Sequence, residues 1–496
     1  MTYNEIQPKQ IKRYTQVATL FGLIIILFFS LWKGYATSVV VIAAIVALSY
    51  IVSQFSMKTF FIFMVLVIPL STNQKILDSE IMLLIPSEPV EAIIAMAFVF
   101  KILFGYKISA EVLKHPIFWV LLLGLLIQYL AVLNSMIIVV SLKSIFLKSC
   151  YFLVFFVLAA DLYMKKYLNH FTILKTYTFS LFIVGLFIFF KHLNYGLSKD
   201  VSGSVTEPFY ADHTIYSACL AFILPYSLLL FLFSKKLQLN FYHKFWMACL
   251  SAVLLIFFFY TYCRAGWVSL LIASCIIWAM FKGIKFYTLT LCLLSALSLL
   301  FIFRSDIAEM LKQNKSDSNA KNANLEEQTK SVANITSDQS NAERLNRWSC
   351  AWRMFIDKPF LGHGPGTYQF EYLSYQKRSE MTQISTTTPY NIKKGKGGTA
   401  HSEYLLLLSE SGIFSLIFYL VAIMMIFYFA LFVFAKSTMA DKKIKIMIIL
   451  FGFCTYILHA CFNNFLDTDK AALLYYTSMA AIMIEAIELR NELKPT

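Results

Sequence analysis

The chain has 496 residues, 59% hydrophobic and only 14% charged, with a mean hydropathy of +0.66. A soluble protein carries roughly a quarter charged residues, so a water-soluble globular fold is excluded. The formal net charge of +15 does not point to nucleic acid, because the lysines gather in short loops between apolar runs.

Apolar segments fall near 17–34, 37–54, 59–71, 89–105, 116–134, 145–161, 174–191, 214–234, 245–262, 266–282, 286–303, 413–436, 445–461 and 471–487. Most approach the ~20 residues needed to cross a bilayer core. The third is short, and a lysine-bearing stretch that could lie at the interface precedes the sixth. The expected fold is therefore an all-α polytopic membrane protein with about 12–14 transmembrane helices. A β-barrel is excluded, since its strands alternate over short segments. Residues 1–16 are polar with Lys9, Lys12 and Arg13, and the next apolar run leads into further spans, unlike a cleavable signal. Nine cysteines include no Cys-x-x-Cys pair, so neither a disulfide framework nor a metal site is expected.

Lysines recur in alternate loops: 107 and 114, 165 and 166, 235 to 244, 282 and 285, 436 to 445. The positive-inside rule puts these loops and both termini in the cytoplasm. The long loop at 304–400 then lies outside, in the periplasm of a Gram-negative host. Three regions are expected: an N-terminal bundle over 1–303, a large partly helical periplasmic loop carrying the chemical motifs over 304–412, and C-terminal helices with a short tail over 413–496.

The loop changes character along its length. Residues 312–340 are rich in Asn, Ser, Lys, Asp and Gln and read as flexible. Trp348, Ala351, Trp352 and Phe355 then recur at i, i+3, i+4 and i+7, predicting an amphipathic helix that Pro359 ends. Gly362, Gly364 and Gly366 predict a tight turn, and the glycines at 395–398 a hinge. Residues 400–411 predict a helix of about 18 Å, too short to span and closed by Gly412.

Candidate residues cluster here. His401 is expected to open that short helix, sharing a face with Tyr404, Leu405 and Leu408. It could take a proton from a hydroxyl near neutral pH, or could be an interfacial histidine satisfied by water. Arg264, at the end of a span, fits either phosphate binding or snorkelling to headgroups. Arg344, Arg347 and Arg353 on or beside one helix run against the positive-inside trend and read as anion binders, with Arg344 and Trp348 on one face. His363, in the glycine turn, is a rival base or simply exposed. Asp212 reads as an N-cap. Lys143 and Lys148 read either as an interfacial pair contacting lipid phosphate or as structural snorkelling lysines. No cofactor or metal-ligand motif is present.

Three stretches together resemble the O-antigen ligase family: Arg264-Ala-Gly-Trp267; Arg344 to Trp348 followed by Pro359 to Gly364; and Ala400-His401-Ser-Glu403-Tyr404-Leu leading to Glu410 and Gly412. The resemblance covers roughly 245–440. It implies a GT-C-like membrane glycosyltransferase, moving glycan from undecaprenyl pyrophosphate to a hydroxyl of lipid A–core on the periplasmic face of the inner membrane. It implies His401 as base and Arg264 and Arg344 as pyrophosphate binders; Arg347, Trp348, Glu403, Tyr404, His363 and Asp212 are candidates for support by their own positions in the sequence. No role transfers to His363 itself. An O-antigen polymerase or protein O-oligosaccharyltransferase would use the same donor. A transporter or flippase would need polar groups deep in the membrane, whereas these gather at one mouth.

Overall fold

The computed structural model describes residues 36–75, 82–284, 288, 339–382, 385 and 398–493. The protein is an all-α polytopic membrane protein. Its first helices are α1 (Ala36–Ser53), α2 (Met57–Val67), α3 (Ser87–Leu103), α4 (Pro116–Ala131) and α5 (Ile138–Met164). There follow α6 (His170–Leu193), α7 (His213–Leu232), α8 (Phe241–Phe259) and α9 (Arg264–Phe281). Beyond them come α10 (Gln339–Asp357), α11 (Glu403–Lys436), α12 (Ala440–His459) and α13 (Asp469–Glu492). Among the described residues, eight helices are long and apolar enough to cross a membrane. Twelve of the fourteen apolar segments are helical; those at 17–34 and 286–303 lie outside the described residues, apart from Thr288. The flexible stretch expected at 312–340 also lies almost wholly outside them.

Side-chain caps set several helix starts. Asn169 accepts from Thr172 N at 2.8 Å, Asn240 from His243 N at 2.9 Å, and Pro116 occupies the first turn of α4, where its missing N–H costs nothing. Two features were not anticipated. Residues 72–75 pair antiparallel with 82–85 in a small hairpin, Thr72 facing Ile85. And α5 runs unbroken through both lysines, with π-helical geometry from Tyr151 to Leu158, where the chain is nearly all apolar and buried. Its lysines therefore belong to a membrane helix rather than to an interfacial preface.

Helix α13 sits innermost, 83% of its apolar window buried, against α5, α11 and α12. Helix α12 packs on α7 and α9, and α11 packs on α4. A second, small core forms outside the bundle, where Cys350, Ala351 and Met354 of α10 meet Tyr368, Tyr372, Ala400 and Leu406.

The predicted apolar face of α10 is buried only in part, at Ala351. Glu343, Asn346, Arg347, Cys350 and Met354 face inward, while Trp352 and Ile356 are exposed. Hydrogen bonds explain the rotation. Glu343 accepts from Arg347 Nε at 2.8 Å, from Thr382 Oγ1 at 2.9 Å and from Ser385, so the polar stripe is satisfied inside. The outward face, with Phe360 beside Phe414 at the start of the span, suits a membrane interface.

Candidate active site

A cleft of about 520 Å³ opens at one end of the bundle, and Arg264 and Arg344 both line it. Arg264 is the first residue of α9 and His213 the first of α7, so two helix N-termini meet there. Each presents orphan N–H groups and about half a positive charge. Lys199 adds a further cation from the α6–α7 connection, and Arg344 is held to the wall by Ser340 Oγ at 3.2 Å and Asn341 Oδ1 at 3.4 Å. Positive charge converges from three separate chain segments, the arrangement an anionic group needs.

One turn beyond Arg344, α10 grips the chain that carries His401. Arg347 NH1 donates to Thr399 O at 3.0 Å, and Trp348 Nε1 donates to His401 O at 3.1 Å. Arg347 reaches Thr399 because Gly398 lacks a side chain: a Cβ there would lie 2.7 Å from the guanidinium. Gly398 gives close approach; the remainder of the expected hinge, 395–397, lies outside the described residues.

His401 itself is not in the helix. Helix α11 starts at Glu403 with Ser402 as N-cap, and His401 stands before it with φ +51, a conformation rare for non-glycine residues. It stands beside the cleft rather than in its lining, and its ring lies against Asn463. Burial, with Arg347 and Arg344 nearby, pushes it down to about 4, so at neutral pH it is uncharged.

The glycine turn and the start of α11 lock together through their backbones. Gly364 N donates to Glu410 O at 2.8 Å, His363 N to Ser409 O at 3.1 Å, and Ile413 N to Pro359 O at 2.9 Å. Gly412 breaks α11 at φ +76, ψ −177, and a Cβ there would fall 2.1 Å from Phe360 O. So Gly412 does end the short helix, but as a kink leading directly into the span. The Glu410 carboxylate accepts from Gly366 N at 2.8 Å and Tyr368 N at 3.0 Å.

Several other candidates are engaged by partners within the protein. His363 is 1% exposed, not an open turn residue, with Nδ1 2.7 Å from Glu371 and Nε2 donating to Met354 O at 3.1 Å. Neither nitrogen is left to accept a proton from a substrate. Arg353 points away from the cleft to Tyr375 O and Glu380, so the three loop arginines do not act as one cluster. Glu403 is buried, its carboxylate accepting from Phe465 N at 3.0 Å, Leu466 N at 3.3 Å and the Tyr456 hydroxyl at 3.2 Å. Tyr404 donates to Ile457 O at 3.0 Å. Asp212 caps α7 through Thr214 N at 3.0 Å; burial would raise its carboxyl, but bonds from His213 and Thr214 hold it below the usual range. Lys148 turns into the bundle, 3.6 Å from Asp467, rather than toward lipid phosphate.

Lys199, Phe462 and Asn463 escaped the sequence reading. The first two line the cleft and the third touches His401. Phe462 and Asn463 lie in the link between α12 and α13, where two adjacent asparagines between apolar spans were the available signal. Buried polar residues also occur away from the cleft. Lys470 donates to Ser71 O at 2.8 Å and to Pro69 O at 3.3 Å, tying α13 to the chain before the hairpin. Among the described residues no group of three or more His, Cys, Asp or Glu side chains could hold a metal ion.

Fold and cleft together define a multi-pass membrane protein with a mouth at one end lined by Arg264, Arg344 and Lys199. Residues 249–420 match the family model described as O-antigen ligase, so over that stretch the chain is similar to that family. The match spans Arg264, Arg344, His363 and His401 and ends within α11. In broad terms the match supports a glycosyltransferase-like function of O-antigen ligase or polymerase type. A search of curated proteins finds no match.

Proposed function

We propose that the chain is an O-antigen ligase, transferring glycan from undecaprenyl pyrophosphate to a sugar hydroxyl of lipid A–core. The observation that carries this is the meeting of Arg264 and Arg344 in one cleft, with His401 fixed beside it by the next turn of the Arg344 helix. His401 removes the acceptor proton, the freed oxygen attacks the anomeric carbon, and the bond to the diphosphate breaks. Arg264 and Arg344 hold the diphosphate and stabilise the charge it gains on leaving, without a metal. A polymerase would use the same donor and differ only in its acceptor. The lipopolysaccharide ladder of a deletion strain separates the two. Loss of a ligase leaves rough core with lipid-linked polymer accumulating; core plus one repeat would mark a polymerase.

The arginines that bind the donor also depress His401, which predicts a pH signature. In the free protein His401 stays neutral down to about pH 4. A bound diphosphate offsets the two guanidinium charges and raises it. The acid limb of kcat/KM, which reports the free enzyme, is therefore expected at lower pH than the acid limb of kcat. Coincident limbs would show that donor binding leaves the base unaffected.

The cleft is assigned to the periplasmic side by the lysine bias of the opposite loops. Ser379 is exposed in the loop that carries α10. With the exposed Cys275 and Cys461 replaced by serine, Ser379→Cys is expected to react with a membrane-impermeant thiol reagent in outer-membrane-permeabilised cells. Labelling only after inner-membrane lysis reverses the topology.

A further inference from the structure

A second cavity, of about 190 Å³, opens at the end of the bundle opposite the cleft. It lies where α5 gives way to α6 and where the first turns of α12 meet the last turns of α13. Its polar wall is Lys166, Asn169, Lys445, Glu485 and Glu488, and Ile449, Ile484 and Phe171 form an apolar floor. Two ammonium groups and two carboxylates make it neutral overall, unlike the cationic cleft.

These groups are not equally committed. Lys166 pairs with Glu488, and Lys445 lies 3.2 Å from Asp441 on its own helix. Asn169 spends its carbonyl oxygen capping α6, with Thr172 N at 2.8 Å, so its amide N–H groups remain as donors. Glu485 accepts no hydrogen bond among the described residues; the charge of Glu488 acts on it, as do those of Lys442, Lys445 and Lys166. Next to the cavity, Tyr167 is 56% exposed, as aromatic side chains are at headgroup depth.

An anionic headgroup would meet Glu485 as a like charge. A choline headgroup offers it no N–H to accept. A headgroup with both a phosphate and a primary ammonium satisfies each wall: phosphate on Lys445 Nζ and the Asn169 amide, ammonium on the Glu485 carboxylate. We propose that this cavity binds the headgroup of phosphatidylethanolamine, with its acyl chains leaving over the apolar floor into the bilayer.

Native mass spectrometry of the purified full chain tests this, with equimolar phosphatidylethanolamine, phosphatidylglycerol and phosphatidylcholine. The wild-type protein is expected to retain phosphatidylethanolamine over both others. Glu485→Gln should lower that retention about tenfold, the worth of one charge-assisted hydrogen bond, without lowering phosphatidylglycerol. Lys445→Met should lower retention of both phosphate headgroups. Equal retention of phosphatidylglycerol or phosphatidylcholine by wild type overturns the proposal, whatever the variants do. So does an unchanged preference in Glu485→Gln that elutes as a monodisperse species.

Discussion

His401→Ala is expected to lose roughly 10²- to 10⁴-fold of glycan transfer, the usual worth of a general base. It should still bind lipid-linked donor, because Arg264 and Arg344 are untouched. His363→Ala is the control. Both its ring nitrogens are spent, on Glu371 and on the Met354 carbonyl, so it has no capacity to serve as base. Removing it leaves buried partners unsatisfied, at about 1–3 kcal/mol each. That variant should melt at lower temperature yet transfer near-normally per folded molecule. Turnover and melting temperature of the two purified variants make the comparison. A dead His363→Ala that melts normally, beside an active His401→Ala, would reassign the base.

Arg264→Lys and Arg344→Lys are each expected to lower turnover about 10- to 100-fold. Lysine keeps the charge but loses the planar fork that grips a phosphate with two hydrogen bonds, a difference of about 1.5–3 kcal/mol. Because both arginines act on one group, the double variant should fall by less than the product of the single losses. Arg347→Lys supplies the contrast. Its guanidinium is buried and bound to Glu343 and Thr399, so the first effect should be on stability. Wild-type turnover in both Arg264→Lys and Arg344→Lys would mean that neither recognises the leaving group.

Why the helices were legible and the site only partly so follows from the physics of each. A span is encoded locally, by apolar length, and helices occupy twelve of the apolar segments. The meeting of Arg264 with Arg344 is not local. It was reached through the order of motifs, and the structure brings both residues to one cleft. Local pattern failed where long-range hydrogen bonds override it. The first turns of the inward face of α10 are polar because Glu343 gathers Arg347, Thr382 and Ser385. His363 looked loose because glycines flank it, but Glu371 and Met354, eight and nine residues away, hold it on opposite sides. Spacing placed His401 on a helix, and the structure places it one residue before the cap, in the grip of Trp348. Asn463 had only its pairing with Asn464 between two apolar spans to announce it.

The most direct test of the central claim is transfer by the purified protein, given undecaprenyl-pyrophosphate-linked glycan and lipid A–core in the presence of EDTA. The predicted result is glycan joined to the core, undecaprenyl pyrophosphate released in equal amount, and neither product formed by His401→Ala. Glycan added only to a second lipid-linked glycan, or no transfer until a divalent cation is restored, would contradict it.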